Sequence, residues 1–69
     1  MKNKTDIWHV FTDSHDEYYT PAEGGERRAR ERYAQFMADY DCARLYHRKK
    51  GENEESDGDC IASDGRYPS

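Results

Sequence analysis

The stretch Ala29-Arg30-Glu31-Arg32-Tyr33-Ala34-Gln35-Phe36-Met37-Ala38-Asp39-Tyr40 decides the fold. Ala29, Tyr33, Phe36, Met37 and Tyr40 recur at i, i+4, i+7, i+8 and i+11, which draws one apolar stripe down a helix whose remaining surface is charged or polar. Such a stripe needs a flat apolar floor, and the flanking sequence supplies one. Upstream, Asp6 to Asp13 is rich in Trp, Val, Ile, Phe and Thr, the composition of a strand; Asp13-Ser14-His15-Asp16 is a turn cluster, and Glu17-Tyr18-Tyr19-Thr20 is a short returning strand. Thr20-Pro21-Ala22-Glu23 has the form of a helix start, with Thr as cap, Pro at the first helical position and Glu three residues after the cap. Gly24-Gly25 then interrupts: two interior glycines cost a helix about 2 kcal/mol relative to alanine, so the regular helix is expected to begin near Gly25 or Glu26. Downstream, Ala43 to Arg48 alternates small or apolar with long polar residues, giving a third strand. Gly51 to Gly58 is an acidic turn, and Asp59 to Ser63 is a fourth strand.

Strand, strand, helix, strand, strand is an α+β chain of ββαββ order. A right-handed crossover through the helix places the third strand beside the first and antiparallel to it, for a spatial order of 2-1-3-4. Residues 1–63 form the single domain, and 64–69 a frayed tail. One helix covers one face of such a sheet. Because apolar residues fall on both faces of the first strand, some of Trp8, Val10, Tyr18 or Tyr19, and Tyr46 are expected on the uncovered face, where a partner can dock. The competing reading is that the long stems of Arg44, Arg48 and Lys49 lie over those rings.

With 69 residues, the chain holds one domain at most. Mean hydropathy is -1.40, and Leu, Ile, Val and Phe are confined to Leu45, Ile7, Ile61, Val10, Phe11 and Phe36, a content that ordinarily signals disorder. Nine aromatics (Trp8, six Tyr, two Phe) and a net charge of only -4 argue for a folded mini-domain instead. A core this small supplies roughly 3–5 kcal/mol, so a staple or a partner is expected. A homodimer that buries some of Trp8, Tyr18, Tyr19 and Tyr46 is one way to provide it.

Charge is distributed in three blocks. Residues 1–26 carry two Lys against six acids, residues 27–50 eight Lys or Arg against three acids, and residues 51–69 one Arg against six acids. Arg27, Arg28, Arg30 and Arg32 give the helix a density that can grip phosphates. The acidic ends and a pI near 5.2 favour instead a solvated helix face paired with Glu23, Glu26 and Glu31. The acids themselves form a candidate docking surface: Glu52, Glu54, Glu55, Asp57 and Asp59 on one hairpin, with Asp13, Asp16 and Glu17 on another loop. They can compete for a basic surface built to hold nucleic acid.

Catalytic and cofactor chemistry finds no footing. His9, His15, His47, Cys42 and Cys60 lack zinc-ligand spacing, and Asp57-Gly58-Asp59 lacks the alternating oxygens and closing Glu of a calcium loop. A Cys60–His47 pair has too little chain around it to build a water-excluding pocket. The expectation is a non-enzymatic chain with no cofactor. The apolar run from Ile7 to Phe11 is too short for a signal peptide or a membrane span, which makes the cytosol the default, and Asn3-Lys4-Thr5 reads as a chance sequon. Two cysteines permit one bridge. Yet a hairpin through Asn53 and Glu54 pairs positions summing to about 107, so that Cys60 faces His47 and Cys42 faces a residue near Gly65, and no disulfide forms.

The segments IWHVFTD and EYYTP, a single Ala/Arg/Tyr-rich helix, ARLYHR, and an acidic hairpin ending DCIASDGRYP together resemble the small orphan proteins of bacteriophages and prophages. Within that group the chain is similar to anti-CRISPR proteins, which bind and block nuclease complexes. It is also similar in element order, with an early Trp in the first strand, to a small phage inhibitor of host RNA polymerase. The resemblance implies a non-enzymatic inhibitor in the host cytoplasm that binds a host protein or ribonucleoprotein complex, foremost a defence nuclease and alternatively RNA polymerase. It carries no functional residue across. The remaining alternatives are a nucleic-acid-binding accessory protein using the Arg-rich helix, and a dimeric structural or packing protein.

Overall fold

The computed structural model describes residues 2–53, 55, 56 and 58–63. The elements are β1 (Ile7–Phe11), β2 (Asp16–Tyr19), a 3-10 turn (Pro21–Glu23), α1 (Gly25–Tyr40), β3 (Arg44–Arg48) and β4 (Asp59–Ser63). All strand pairs are antiparallel, in the order β2-β1-β3-β4, and α1 packs across one face; this is the α+β arrangement expected from the sequence. The tail expected over 64–69, and with it the residue near Gly65 that was to face Cys42, lies outside the described residues.

Which face the helix covers follows from the two central strands. Val10 pairs with Leu45, and Leu45 in turn with Ala62, so one face carries a row of compact aliphatic side chains. Ala29 and Phe36 of the helical stripe settle on that row. Val10, Leu45, Ala29 and Ala43 are fully buried, with Phe36 and Trp8 nearly so, while Tyr19, Tyr33, Met37, Ile61 and Ala62 close the margins. Tyr40, the last residue of the stripe, is exposed; it packs edge-on against Phe36 and lies at a 30° tilt to the ring of His15.

Three of the side chains named for the uncovered face, Val10, Trp8 and Tyr19, therefore sit under the helix. Trp8 shares the parity of Val10 and must follow it inward, and Tyr19, paired with Trp8, comes with it. The Trp8 ring stacks on His47 at 4.5 Å and within 5° of parallel. His47 Nε2 lies 3.1 Å from Asp6 Oδ1, which also accepts the Lys50 N–H at 3.1 Å.

The β3–β4 register departs from expectation by one residue. Arg44↔Ser63 and Leu45↔Ala62 keep the expected sum, but an irregularity between Leu45 and Tyr46 leaves Ile61 as the extra residue, so Cys60 faces Tyr46 rather than His47. Cys42 and Cys60 are both free thiols. Nor is the acidic loop held as a bare hairpin: Lys2 bridges to Asn53, the Asn3 N–H donates to Glu52 O at 2.9 Å, and the Gly51 N–H donates to Asn3 O at 3.0 Å. Asn3 is buried by this pairing.

The glycine pair has a specific task. The Thr20 O accepts the Glu23 and Gly25 N–H groups, the Glu23 carboxylate accepts the Thr20 N–H at 3.2 Å, and Gly24 turns the chain at φ 108° into the helix. A β-carbon at Gly24 would collide with the Arg28 side chain; one at Gly58, with φ 83°, would collide with the His47 backbone. Gly24→Ala is expected to cost about 1–3 kcal/mol. Phe36→Ala is expected to cost about 3–5 kcal/mol, as much as a core of this size supplies. Circular dichroism should show Gly24→Ala melting at lower temperature and Phe36→Ala largely unfolded at 25 °C.

Candidate docking face

The face away from the helix is built from the opposite parity. Ile7, His9 and Phe11 of β1, Asp16 and Tyr18 of β2, Arg44, Tyr46 and Arg48 of β3, and Cys60 of β4 share it through cross-strand pairing. Its rings form a column. Tyr18 stacks on His9 at 4.2 Å and 10°, His9 on Phe11 at 4.7 Å and 28°, and Phe11 on Tyr46 at 5.6 Å and 30°.

The tightest stack, Tyr18 on His9, joins neighbouring strands; His9 and Phe11 stack along one strand, and Phe11 and Tyr46 join β1 to β3 at a wider spacing and a 30° tilt. Tyr18, at the outer end of the column, is half exposed.

Arg44, opposite Phe11, and Arg48, opposite Ile7, flank Tyr46 along β3. The Nε of Arg48 is buried with no hydrogen-bond acceptor among the described residues. Lys49, by contrast, is of the other parity and lies 3.8 Å from Asp59. Of the three stems expected to shield the rings, two therefore share the rings' face.

The sequence-predicted acids are dispersed. Asp16 is on the face, 3.4 Å from His9 Nε2. Asp13 lies in the β1–β2 loop at one end of the sheet. Glu52 and Glu55 lie in the β3–β4 loop at the opposite end, because β3 runs antiparallel to β1. Glu52 accepts the Lys49 N–H, the Glu55 N–H binds Asn53 Oδ1, and Glu54 and Asp57 are outside the described residues. Glu17 is engaged inside the fold: Arg32 grips it through both carboxylate oxygens at 2.8 and 2.9 Å, and the Tyr19 hydroxyl donates to it. The two expected acidic surfaces are thus separate rims on either side of a ring-and-arginine centre.

Each helix arginine has an acidic neighbour, though Arg27 and Arg28 share one. Arg30 pairs with Glu26, Arg27 and Arg28 reach Glu31, and Arg32 leans over the Phe36 ring toward Glu17. Glu23 serves the helix start instead. Among the described residues no group of three or more His, Cys, Asp or Glu is placed to hold a metal ion, and no helix is long and apolar enough to cross a membrane.

His9, Phe11, Arg44 and Arg48, which form the centre of the face with Tyr46, were absent from the sequence-predicted docking set. Their signal was the shared parity of β1, unreadable until the covered side was known. The chain matches no protein-family model, no curated protein and no solved structure.

Two carboxylates tie the fold to pH. The Lys50 N–H and then His47 hold Asp6 below the usual carboxylate range, and Arg32 and then the Tyr19 hydroxyl do the same for Glu17. Both folded-state values lie below the unfolded ones, so this stabilisation is complete above about pH 4.5 and disappears as pH falls through the lower folded values. Glu17→Gln is expected to cost about 1 kcal/mol at pH 7, since the pair is about one-third exposed. Thermal melts from pH 7 to pH 2 should show the Tm difference between wild type and Glu17→Gln shrinking at the acid end.

Proposed function

We propose that the protein is a non-enzymatic, stoichiometric binding protein that docks through the open sheet face on a nucleic-acid-handling complex and blocks it, in the manner of phage-type inhibitors. The observation that carries this reading is the stacked column Tyr18–His9–Phe11–Tyr46 flanked by Arg44 and Arg48. Tyr and Arg are the residue types that dominate protein-binding energetics. Rings that already support one another also lose little freedom when a partner covers them.

Three further features support it. The acidic rims at Asp13 and Asp16 and at Glu52 and Glu55 suit a partner with basic borders, such as a nucleic-acid channel, and raise encounter rates. The pairing of the helix arginines with neighbouring acids takes support from the alternative of an Arg-rich helix on phosphates. A chain of this size works by occupancy, at a fixed ratio to its target, in the cytoplasm where such complexes act.

The test is titration into cleavage assays with purified RNA-guided nucleases and into transcription assays with bacterial RNA polymerase. Inhibition is expected in one of them, saturating at a fixed molar ratio. Tyr18→Ala combined with Tyr46→Ala should remove it while leaving the circular dichroism spectrum unchanged. Full inhibition by that double variant, or none by the wild type in either assay, overturns the reading.

A further inference from the structure

Resting on the docking reading above, we infer that a basic, extended segment of the target pairs along the outer edge of β2 and becomes a fifth strand of the sheet. The hairpin's own hydrogen bonds show which groups that edge presents. The Thr12 N–H donates to His15 O at 2.9 Å, which makes these two residues a hydrogen-bonded pair. Such pairs alternate along an antiparallel ladder, so Glu17, opposite Val10, and Tyr19, opposite Trp8, turn their backbone groups toward β1. Asp16 and Tyr18 turn theirs outward, where β2 ends the sheet. Both residues are exposed, and among the described residues no other backbone group pairs with them on that side. Open ladder groups of this kind are a template for another strand. Apart from being short, β2 lacks the usual guards: it holds neither Lys nor Pro, and its register with β1 runs unbroken from Asp16 to Tyr19. The other outer strand, β4, carries the irregularity at Ile61.

Charge identifies the occupant. An added strand sets side chains opposite Asp16 and Tyr18, on the same face of the sheet as those two. Asp16 lies against His9 and Asp13, in the adjoining turn, against the Cys42 thiol; both acids are exposed, and neither is paired with a Lys or Arg among the described residues. A Lys or Arg opposite Asp16 meets an opposite charge, and one opposite Tyr18 meets an aromatic ring. The segment that fits is therefore basic at alternate positions. A second copy fits less well. The two-fold register in which two β2 strands would use all the outward groups pairs Asp16 with the partner's Tyr18, which sets Glu17 directly against the partner's Glu17, and each copy carries a net charge of -4.

The experiment is an NMR titration of the full chain with a short capped peptide alternating Lys and Thr, with its counterpart carrying Glu for Lys, and with two backbone N-methylated forms, one methylated at the Lys residues and the other at the Thr residues. The Lys peptide is expected to shift the amide protons of Asp16 and Tyr18 and slow their exchange with solvent, while exchange at Glu17 and Tyr19, already bonded to β1, stays as it was. Methylating one alternate set removes the N–H groups that face β2 and should weaken binding at least about tenfold; methylating the other set, at the same charge, should leave it unchanged. Asp16→Lys should weaken the Lys peptide about fivefold, with a dispersed spectrum confirming that the variant folds. The inference is overturned if the Lys peptide leaves the Asp16 and Tyr18 amides unmoved, if the two methylated forms bind alike, or if the Glu counterpart binds as tightly. It is equally overturned if the same amides move with protein concentration alone, which would make a second copy the occupant. Stoichiometric inhibition lost on removing Tyr18 and Tyr46, together with a silent Lys-peptide titration, would sink this inference and leave the docking reading standing; peptide capture along β2 without inhibition in either assay would do the reverse.

Discussion

Val10 against Leu45 is the pair on which the rest depends. They are the largest side chains wholly removed from water, they sit opposite each other on the two central strands, and Ala29 and Phe36 can rest on them because they are compact. Side chains alternate strictly along a strand, so fixing this pair inward fixes every other residue of β1 and β3. Trp8, Ala43 and His47 go in with it, and His9, Phe11, Arg44, Tyr46 and Arg48 go out. One helix cannot cover both faces, and the rings of the other face stack on one another.

The two faces solve different problems. Under the helix, the core is thin, and polar contacts at its edges hold what apolar burial cannot: the bidentate Arg32–Glu17 pair ties α1 to β2, and Asp6 links His47 to the Lys50 backbone where the β3–β4 loop begins. On the open side, rings are kept in place by one another. Among the described residues, stacking and the His9–Asp16 pair order that face. A surface ordered in advance gives up less entropy on association than one assembled at the moment of contact.

The net charge of -4 hides the arrangement that matters. Acidic loops at the two ends of the sheet bracket a centre that carries Arg44 and Arg48, and the helix arginines on the outer surface lie beside acidic neighbours. The three charge blocks visible along the chain become, after folding, a pattern of rim and centre on one face.

The sequence alone determined the helix and its stripe, the four strands and their order, and the helix start at Thr20–Gly25, because periodicity, turn chemistry and crossover handedness are local or nearly local rules. It also placed β4 within Asp59–Ser63. Only the tertiary structure decided which parity of β1 meets the helix, and so moved Trp8 and Tyr19 inward and brought His9, Phe11, Arg44 and Arg48 together. The apolar content of β1 was balanced between its faces, and the tie was broken by partners distant in the chain, Leu45 and Ala62. The same holds for Glu17, an open acid by composition but held by Arg32 fifteen residues away. It holds as well for the one-residue shift that sets Cys60 against Tyr46: a bulge is the packing response of two strands to each other, and no single strand's sequence records it.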